Sequence, residues 1–189
     1  MQRHFEPLFA QIDRMLPTGK LILAIEGGSA SGKTTLAELL KESYGAAVFH
    51  MDDFFLRPEQ RTGERLGQVG GNVDWERFRE EIVLPLEKDE TICYRPFDCS
   101  TGTLKEAVIV KPSRFTVVEG AYSMHPKLGG YYNLSVFLNI PEELQRKRIE
   151  KRNTPEKAAR FFGEWIPMEQ HYFEMLKVKD RCDTVIEIR

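Results

Sequence analysis

The sequence has few cysteines and no long apolar run, and both shortages narrow the classes of protein to which it can belong. Three of its 189 residues are cysteine, namely Cys93, Cys99 and Cys182. This odd number, without metal-ligand spacing, argues against a disulfide framework and against a zinc site. No stretch approaches the about 18 consecutive apolar residues of a membrane span, and the N-terminus lacks the apolar core of a signal peptide. We therefore expect a cytoplasmic protein without a membrane partner.

An excess of charge of one sign is also lacking. The chain has 29 acidic and 27 basic residues, which give a net charge of −2. This balance argues against nucleic acid as a partner, so any bound anion has to be held by a local feature. No internal repeat or low-complexity segment is present. At this length we expect one domain, residues 1–189, with inserts or lids. The sequence leaves open whether the chain forms a homo-oligomer.

The most informative feature is a glycine-rich stretch that follows a short apolar run and precedes a helical pattern. Its spacing, G-x-x-x-x-G-K-[ST], is that of a P-loop, in which backbone N–H groups at a helix N-terminus bind nucleotide phosphates. Lys33 is then expected to reach the β- and γ-phosphates, and the Thr34 hydroxyl to ligate Mg²⁺. The residues predicted to contact the nucleotide are Gly27, Gly28, Ser29, Ala30, Ser31, Gly32, Lys33, Thr34 and Thr35.

Five short apolar runs alternate with helical patterns, which predicts an α/β fold with a parallel sheet covered on both faces. The predicted strands are residues 21–26, 46–51, 115–120, 134–140 and 184–188. The predicted helices are residues 3–16, 34–44, 74 to about 85, 141–152 and a segment from 154 that Gly163 and Pro167 interrupt.

Several local expectations accompany this pattern. Pro85 should stop or kink its helix, and Pro141 should occupy the first helical position. The glycine-rich residues 57–73 are predicted to form a mobile surface loop, and residues 92–95 and 107–110 to form a hairpin. The last helix should present one apolar stripe, made by Trp165, Met168, Tyr172 and Met175.

Carboxylates follow two of the predicted strands. Asp52 and Asp53 follow residues 46–51, and Glu119 ends residues 115–119. Ligands of open α/β sheets bind at this edge, so these carboxylates are candidates for chemistry, and Glu119 could contact Mg²⁺ through water, hold the acceptor or make only a structural hydrogen bond. Adjacent residues that leave an extended strand point to opposite sides, so one aspartate should be catalytic and the other structural. For Asp53 the structural alternative is an N-cap of the following turn.

The motifs together resemble the group of uridine kinases and nicotinamide riboside kinases. The resemblance spans about residues 20–188 and is carried by five stretches in order. They are Gly-Gly-Ser-Ala-Ser-Gly-Lys-Thr-Thr at 27–35, His-Met-Asp-Asp-Phe-Phe at 50–55, Asn-Val-Asp-Trp-Glu-Arg-Phe at 72–78, Val-Val-Glu-Gly at 117–120 and an arginine-rich helix at 146–152.

The resemblance implies a P-loop NTPase three-layer fold in which a small-molecule kinase uses ATP and Mg²⁺. Its core would be about 20–56, 114–145 and 180–189, with an acceptor-side insert at 57–112 that carries a hairpin lid, and an arginine-bearing helical lid at 146–166. The implied catalytic residues are Asp52, Lys33, Arg148 and Arg152. The implied acceptor-binding residues are Asp52, Tyr94, Phe97, Asp98 and Glu119, and Thr34 and Glu119 would serve the metal. Arg160 could join the lid, and a solvated basic helix is the alternative for all three arginines.

Two departures bear on the phosphoryl acceptor. Uridine kinases carry a Tyr-Asp pair and a histidine on the hairpin, where this chain has Phe97-Asp98 and no following histidine. Trp165, Pro167 and Met168 instead resemble a stretch of nicotinamide riboside kinases, with core packing as the alternative. A uridine- or cytidine-like nucleoside is the first expectation for the acceptor, and nicotinamide riboside or another small metabolite is the second. A nucleotide-dependent switch or ATPase is the rival of another class, although the Asn-Lys-x-Asp and Asp-x-x-Gly motifs of GTPases are absent.

Overall fold

The computed structural model describes residues 5–189, in which a parallel five-stranded sheet forms the centre. The strands are β1 Leu21–Gly27, β2 Ala47–His50, β3 Ile92–Tyr94, β4 Phe97–Asp98, β5 Thr103–Leu104, β6 Val108–Val110, β7 Phe115–Glu119, β8 Leu134–Asn139 and β9 Thr184–Glu187. The sheet order is β2-β7-β1-β8-β9, with every neighbouring pair parallel. The predicted α/β class and parallel sheet are confirmed.

Helices precede, connect and flank these strands. They are α1 Glu6–Met15, α2 Lys33–Tyr44, α3 Gly63–Leu66, α4 Trp75–Phe78, α5 Leu84–Glu87, α6 Glu142–Arg152, α7 Pro155–Arg160, α8 Ile166–Met175 and α9 Val178–Arg181. A π turn at Arg79–Val83 joins α4 to α5, and another at Phe161–Trp165 joins α7 to α8. None of the helices within residues 5–189 is long and apolar enough to cross a membrane.

Alternate residues of β1 point to opposite faces of the sheet, and each face is covered. Leu21, Leu23 and Ile25 pack in one apolar cluster, which includes buried residues of α1 and α2. Ile22 and Ala24 belong to the other cluster, which contains buried aromatic residues of α4, β3 and α8. Both clusters reach the end of β1, so the P-loop that follows this strand begins from a rigid base.

The two prolines expected to interrupt helices do not do so. Pro85 and Pro167 lie in the first turns of α5 and α8, each directly after a π turn. In each case the residue before the proline bonds back into the π turn, Leu84 N to Arg79 O and Ile166 N to Phe161 O, so the helical path continues and the proline's missing N–H falls where the bonding pattern changes. Pro141 differs in a smaller way, since it is the N-cap of α6, with extended backbone, rather than its first residue.

The prediction of an apolar stripe on the last helix is wrong for its last residue, Met175. Tyr172 is fully buried, but Met175 is 60% exposed. The buried residues of α8 are Ile166, Glu169 and Tyr172. The face that packs inward therefore includes a carboxylate, which an apolar pattern cannot reveal.

The loop at 57–73 is not wholly a surface loop, because residues 70–73 are buried. Arg65 organises this segment. Its guanidinium donates to Gly71 O at 3.2 Å and to Val73 O at 2.9 Å, and it pairs with both carboxylate oxygens of Glu76 at 2.6 Å. The backbone at 54–56 also bonds to that at 72–74, through Leu56 and through Asp74. These bonds hold the segment against the edge of the sheet where β2 ends.

Beneath the P-loop lies a fully buried carboxylate, Glu26, near the end of β1. Its Oε1 accepts from Met124 N at 2.8 Å and from Tyr172 OH at 2.9 Å, whereas its Oε2 has no protein partner. Desolvation raises the pKa of Glu26 to about 7, and the hydrogen bonds from Met124 and Tyr172 oppose that shift. The folded protein therefore favours the protonated form of this side chain.

Glu26→Gln should remove a pH dependence of stability. In the wild type the folded pKa of Glu26 lies above the ordinary value of 4.5, so the contribution of this residue to stability is greatest below pH 4.5 and falls as the pH rises towards about 7. Glutamine imitates the protonated carboxyl, so at pH 8 the variant should be more stable by on the order of 1–3 kcal/mol. Urea unfolding of both proteins between pH 5 and pH 8 measures the difference. Glu38→Gln, at an exposed site on α2, is the control. A wild-type-minus-variant difference that stays constant with pH contradicts this account.

Candidate active site

A cavity of about 1200 Å³ lies at the end of the sheet where β1, β2 and β7 finish. The P-loop forms its floor, α6 and the segment 154–165 form one wall, and residues from 52 to 72 with the hairpin tip form the other. The lining residues of the P-loop are Ser29, Ala30, Ser31, Gly32, Lys33, Thr34 and Thr35. Most of the residues predicted to contact the nucleotide therefore line one cavity, with Gly27 and Gly28 beneath it.

The P-loop backbone adopts left-handed angles at three residues. Their φ values are 139° at Gly27, 62° at Ala30 and 103° at Gly32. A Cβ at Gly27 would lie 2.5 Å from Leu138 O, so only glycine fits there. The Lys33 ammonium group donates to Gly27 O at 2.8 Å and to Gly28 O at 3.0 Å, which holds it across the loop.

Glu119 and Thr34 meet at the base of the cavity. Thr34 Oγ1 donates to Glu119 Oε1 at 3.0 Å, and His50 Nδ1 lies 2.6 Å from the same oxygen. This carboxylate raises the pKa of His50 through its hydrogen bond. A hydroxyl beside a carboxylate suits Mg²⁺, which takes one or two protein oxygens and completes its shell with phosphate and water. The residues present therefore fit the ion. No group of three or more His, Cys, Asp or Glu side chains in residues 5–189 is arranged to hold a metal on its own.

The structure separates Asp52 from Asp53. Both lie in a 3₁₀ turn, Met51–Phe54, rather than at the end of an extended strand, but only Asp52 lines the cavity. Desolvation raises the pKa of Asp52 to about 6, with Lys33 opposing the shift and Glu119 reinforcing it. The sequence suggested that Asp53 caps this turn, but Asp53 lies inside it. The N-cap of the turn is His50, whose side chain makes no capping bond.

The three arginines of the lid segment all line the cavity. Arg148 Nη1 donates to Ala30 O at 3.0 Å, so it contacts the P-loop directly. Arg152 lies over the ring of Phe161 at 5.6 Å. Arg160 pairs with Glu164 at 3.2 Å and stacks on Trp165. A helix facing only solvent would not place these side chains around one cavity.

The hairpin exists as predicted, with β3 antiparallel to β6 and β4 antiparallel to β5, but its named side chains point elsewhere. Tyr94 is buried against Phe49 and Phe54, and Phe97 is buried as well. Asp98 accepts from Ser100 N and Oγ within its own turn. None of Tyr94, Phe97 and Asp98 lines the cavity.

The cavity wall opposite the lid is instead made by Cys99 and Ser100 of the hairpin tip and by side chains of other segments, which are Phe55, Arg61, Asn72 and Tyr122. Two of these have unusual features. Asn72 is 7% exposed and its Oδ1 has no protein partner, while Tyr122 has a left-handed φ of 77°. Backbone strain of this kind is found most often at functional sites.

One site residue carries no sequence motif. Glu169, on α8, lines the cavity, and its carboxylate accepts from Ser29 N at 2.8 Å and from Ser29 Oγ at 2.7 Å. Gln145 of α6 also reaches this turn and donates to Ser29 O at 2.9 Å. Neither residue could be selected from the sequence, since glutamate and glutamine are ordinary residues of helix surfaces.

Comparison with known proteins gives relatives but no matching family model. The chain is 29% identical over 166 residues to nicotinamide riboside kinase 2 of Homo sapiens, which covers 81% of this chain and 67% of that protein. It is 24% identical over 179 residues to uridine kinase of Chlamydia pneumoniae, covering 85% and 79% respectively. In fold it is similar to a possible uridine kinase from Bacillus stearothermophilus, with a TM-score of 0.67 at 23% identity over 95% of this chain and 99% of that one.

Each of the two relatives is aligned over more than four fifths of this chain. The likeness to the solved structure adds the P-loop kinase fold, and the P-loop itself forms the floor of the cavity. The chain is therefore similar in sequence and fold to the group of P-loop small-molecule kinases that includes uridine kinase and nicotinamide riboside kinase.

Proposed function

We propose that this protein transfers the γ-phosphoryl group of ATP to a hydroxyl group of a nucleoside-like small molecule. A uridine- or cytidine-like nucleoside is the first candidate acceptor. The observation that carries the proposal is that Lys33, Thr34, Asp52 and Glu119 line one cavity together with the lid arginines. That cavity has a phosphate-binding floor and, beyond it, room for a second molecule.

Phosphoryl transfer needs little covalent chemistry from the protein and depends on positioning and on neutralisation of charge. Lys33 and the N-terminus of α2 are placed for the β- and γ-phosphates. Arg148 and Arg152 offer guanidinium groups, which bind phosphate oxygens in a fork and stay charged. Thr34 and Glu119 would hold Mg²⁺, whose charge neutralises phosphate oxygens when it is bound.

Asp52 is the proposed group that directs the attacking hydroxyl. Within residues 5–189 its carboxylate makes no hydrogen bond to the protein, although it lines the cavity, so both oxygens are free to accept from a ligand. Glu119 and Glu169, by contrast, are already bonded to Thr34 and Ser29. A pKa raised to about 6 still leaves Asp52 ionised at neutral pH, when it can accept a proton.

Asp52→Asn should lower kcat by about 10²- to 10⁴-fold, because it removes the proton acceptor and keeps the size of the side chain. Asp53→Asn is the matched control and should keep most activity, since its side chain does not line the cavity. In the wild type kcat/KM should fall by about tenfold per pH unit below pH 6, where Asp52 becomes protonated. Turnover is measured by ADP release at saturating acceptor. An active Asp52→Asn beside an inactive Asp53→Asn would reverse the two roles.

Nicotinamide riboside is the second candidate acceptor, and the 29% identity to a human nicotinamide riboside kinase favours it. The wall that would face the acceptor has few aromatic side chains and several polar ones, among them Arg61, Asn72 and Ser100. Neither a Tyr-Asp pair nor a histidine of the hairpin stands on this wall. Recognition would then depend on hydrogen bonds to hydroxyl groups, which both candidates have.

Asn72→Ala should raise KM for the acceptor and leave KM for ATP unchanged, since Asn72 lies across the cavity from the lid segment. Arg61→Ala should raise both KM values, because Arg61 also pairs with Glu164 of the lid segment at 3.4 Å. For Asn72→Ala we expect a rise of about tenfold, which is the typical effect of losing one hydrogen bond to a ligand. The measurement is ADP release with uridine, cytidine, nicotinamide riboside and pantothenate, and Arg79→Ala, at an exposed site, is the control. A change confined to KM for ATP would place the acceptor elsewhere.

The rival function is a nucleotide-dependent switch or ATPase without a phosphoryl acceptor. ADP release that does not depend on any added hydroxyl compound would favour it. A mass increase of the acceptor by one phosphoryl group, seen by mass spectrometry, would decide for the kinase. The three cysteines are free thiols, which accords with the proposed cytoplasmic location.

A further inference from the structure

The outer turn of the P-loop is held by side chains from helices that come more than 100 residues later in the chain. Ser29 N and Ser29 Oγ each donate to one oxygen of Glu169, at 2.8 Å and 2.7 Å. Gln145 donates to Ser29 O at 2.9 Å, and Arg148 donates to Ala30 O at 3.0 Å. The space around Gly28 is filled by the same side chains, since a Cβ there would lie 2.9 Å from Gln145 Nε2. Four hydrogen bonds therefore connect this turn to α6 and α8.

A carboxylate is an unexpected residue at this position. Glu169 is 8% exposed, and burial of a charge is costly unless it is bonded. The positive charges of Lys33 and Arg152 stabilise the ionised form of Glu169. The negative charge of Glu169 in turn raises the pKa of Asp52. It also lies next to the loop that is to receive phosphate groups, so it repels the nucleotide in the ground state. Glu169 is thus poorly suited to strengthen nucleotide binding, and its role has to be found in the bonds to Ser29.

We infer that Glu169 is a positioning residue that acts through Ser29 and sets the distance between the P-loop and the helices α6 and α8. Arg148 and Arg152 lie on α6, one and two turns after Gln145. When the outer turn of the loop is held against α6 and α8, these guanidinium groups and the phosphate-binding backbone face each other across the site. Without Glu169 the turn keeps its bonds from Gln145 and Arg148 only, and the loop can shift relative to the arginines.

The remaining part of the loop does not depend on Glu169. Residues 31–34 lead into α2, whose first turn fixes them, and Lys33 is held by Gly27 O and Gly28 O. Loss of Glu169 should therefore disturb the alignment of the reacting groups more than the binding of the nucleotide. Removal of its negative charge should leave the affinity for Mg²⁺-ADP unchanged or tighter.

Two substitutions separate the bonds from the charge. In Glu169→Gln the carboxamide oxygen can accept from Ser29 N while its NH₂ group donates to Ser29 Oγ, so both contacts persist without the charge. Glu169→Ala removes both contacts. We expect Glu169→Ala to lower kcat by about 10- to 100-fold, which is the effect of a misplacement of about 1 Å, and Glu169→Gln to restore most of that loss. Calorimetric titration with Mg²⁺-ADP should show equal or tighter binding for both variants.

The kinetic measurement rests on the proposed function, and a second measurement does not. Hydrogen–deuterium exchange of the peptide that contains Ser29 and Ala30 should be faster in Glu169→Ala and near the wild-type rate in Glu169→Gln. Glu174→Ala and Glu174→Gln, at an exposed site on the same helix, are the matched controls for both measurements. If no acceptor is phosphorylated by the wild type, the proposed function fails while the exchange result still tests the bonds to Ser29.

Three outcomes would overturn the inference. Equal loss of kcat in Glu169→Gln and Glu169→Ala would mean that the carboxylate acts through its charge on a ligand. Wild-type exchange in Glu169→Ala would mean that the bonds to Ser29 do not order the loop. Mg²⁺-ADP binding weakened more than about tenfold in Glu169→Ala would mean that this residue supports the phosphate-binding part of the loop itself.

Discussion

The reversal of the chain between β1 and α2 is the constraint on which the rest of the site depends. A P-loop binds phosphate because consecutive N–H groups turn towards one point, and this requires backbone angles that most residues avoid. Here Gly27, Ala30 and Gly32 supply those angles, and the carbonyl group of Leu138 leaves no space for a side chain at Gly27. β8 and the loop are thus fitted to each other. The sheet fixes Gly27 at the start of the loop, and α2 fixes Lys33 at its end. The turn between them, at Ser29, is held by side chains of α6 and α8.

The carboxylates around this loop differ in how many of their oxygens already accept a hydrogen bond from the protein. Glu119 is bonded to Thr34 and lies beside His50, and Glu169 is bonded twice to Ser29. Asp52 makes no protein hydrogen bond within the described chain, and desolvation in the cavity raises its pKa. A carboxylate with free oxygens and a pKa near neutrality is what a general base requires, whereas carboxylates that are already bonded serve as fixed charges or as ligands. The hydrogen bonds, rather than burial alone, therefore distinguish the three carboxylates.

The sequence predicted the parts of this arrangement that depend on local patterns. Apolar runs located the strands of the parallel sheet, and glycine spacing located the P-loop. Predictions based on single residues were less secure. Pro85 and Pro167 were expected to end helices, but a π turn before each places it where a proline is tolerated. Sequence patterns cannot distinguish these cases, because the π turn is set by packing rather than by local preference.

The side chains of the hairpin show the same limitation in the site. Aromatic and acidic residues near a ligand-binding segment suggested an acceptor wall, yet Tyr94 and Phe97 supply the apolar contacts that attach the hairpin to the core. A short two-stranded ribbon is marginally stable alone, so its large side chains are needed for packing. Glu169 is the opposite case, a residue of ordinary type whose position, adjacent to the P-loop, is visible only after folding.

Under the proposed function, the side of the cavity open to an acceptor is built on the segment 55–72 more than on the hairpin, of which only Cys99 and Ser100 line the cavity. Hydrogen bonds join the two ends of this segment. Arg65 donates to the carbonyl oxygens of Gly71 and Val73, and Gln60 Nε2 donates to Asp74 Oδ2 at 2.8 Å. Asp74 in turn caps α4, which packs on the core. Asn72 is thus held by this hydrogen-bonded frame, whereas Arg61 also pairs with Glu164 of the segment 154–165 at 3.4 Å. Under the proposed function, substitution at Asn72 should therefore alter the choice of acceptor with less effect on the phosphate site than substitution at Arg61.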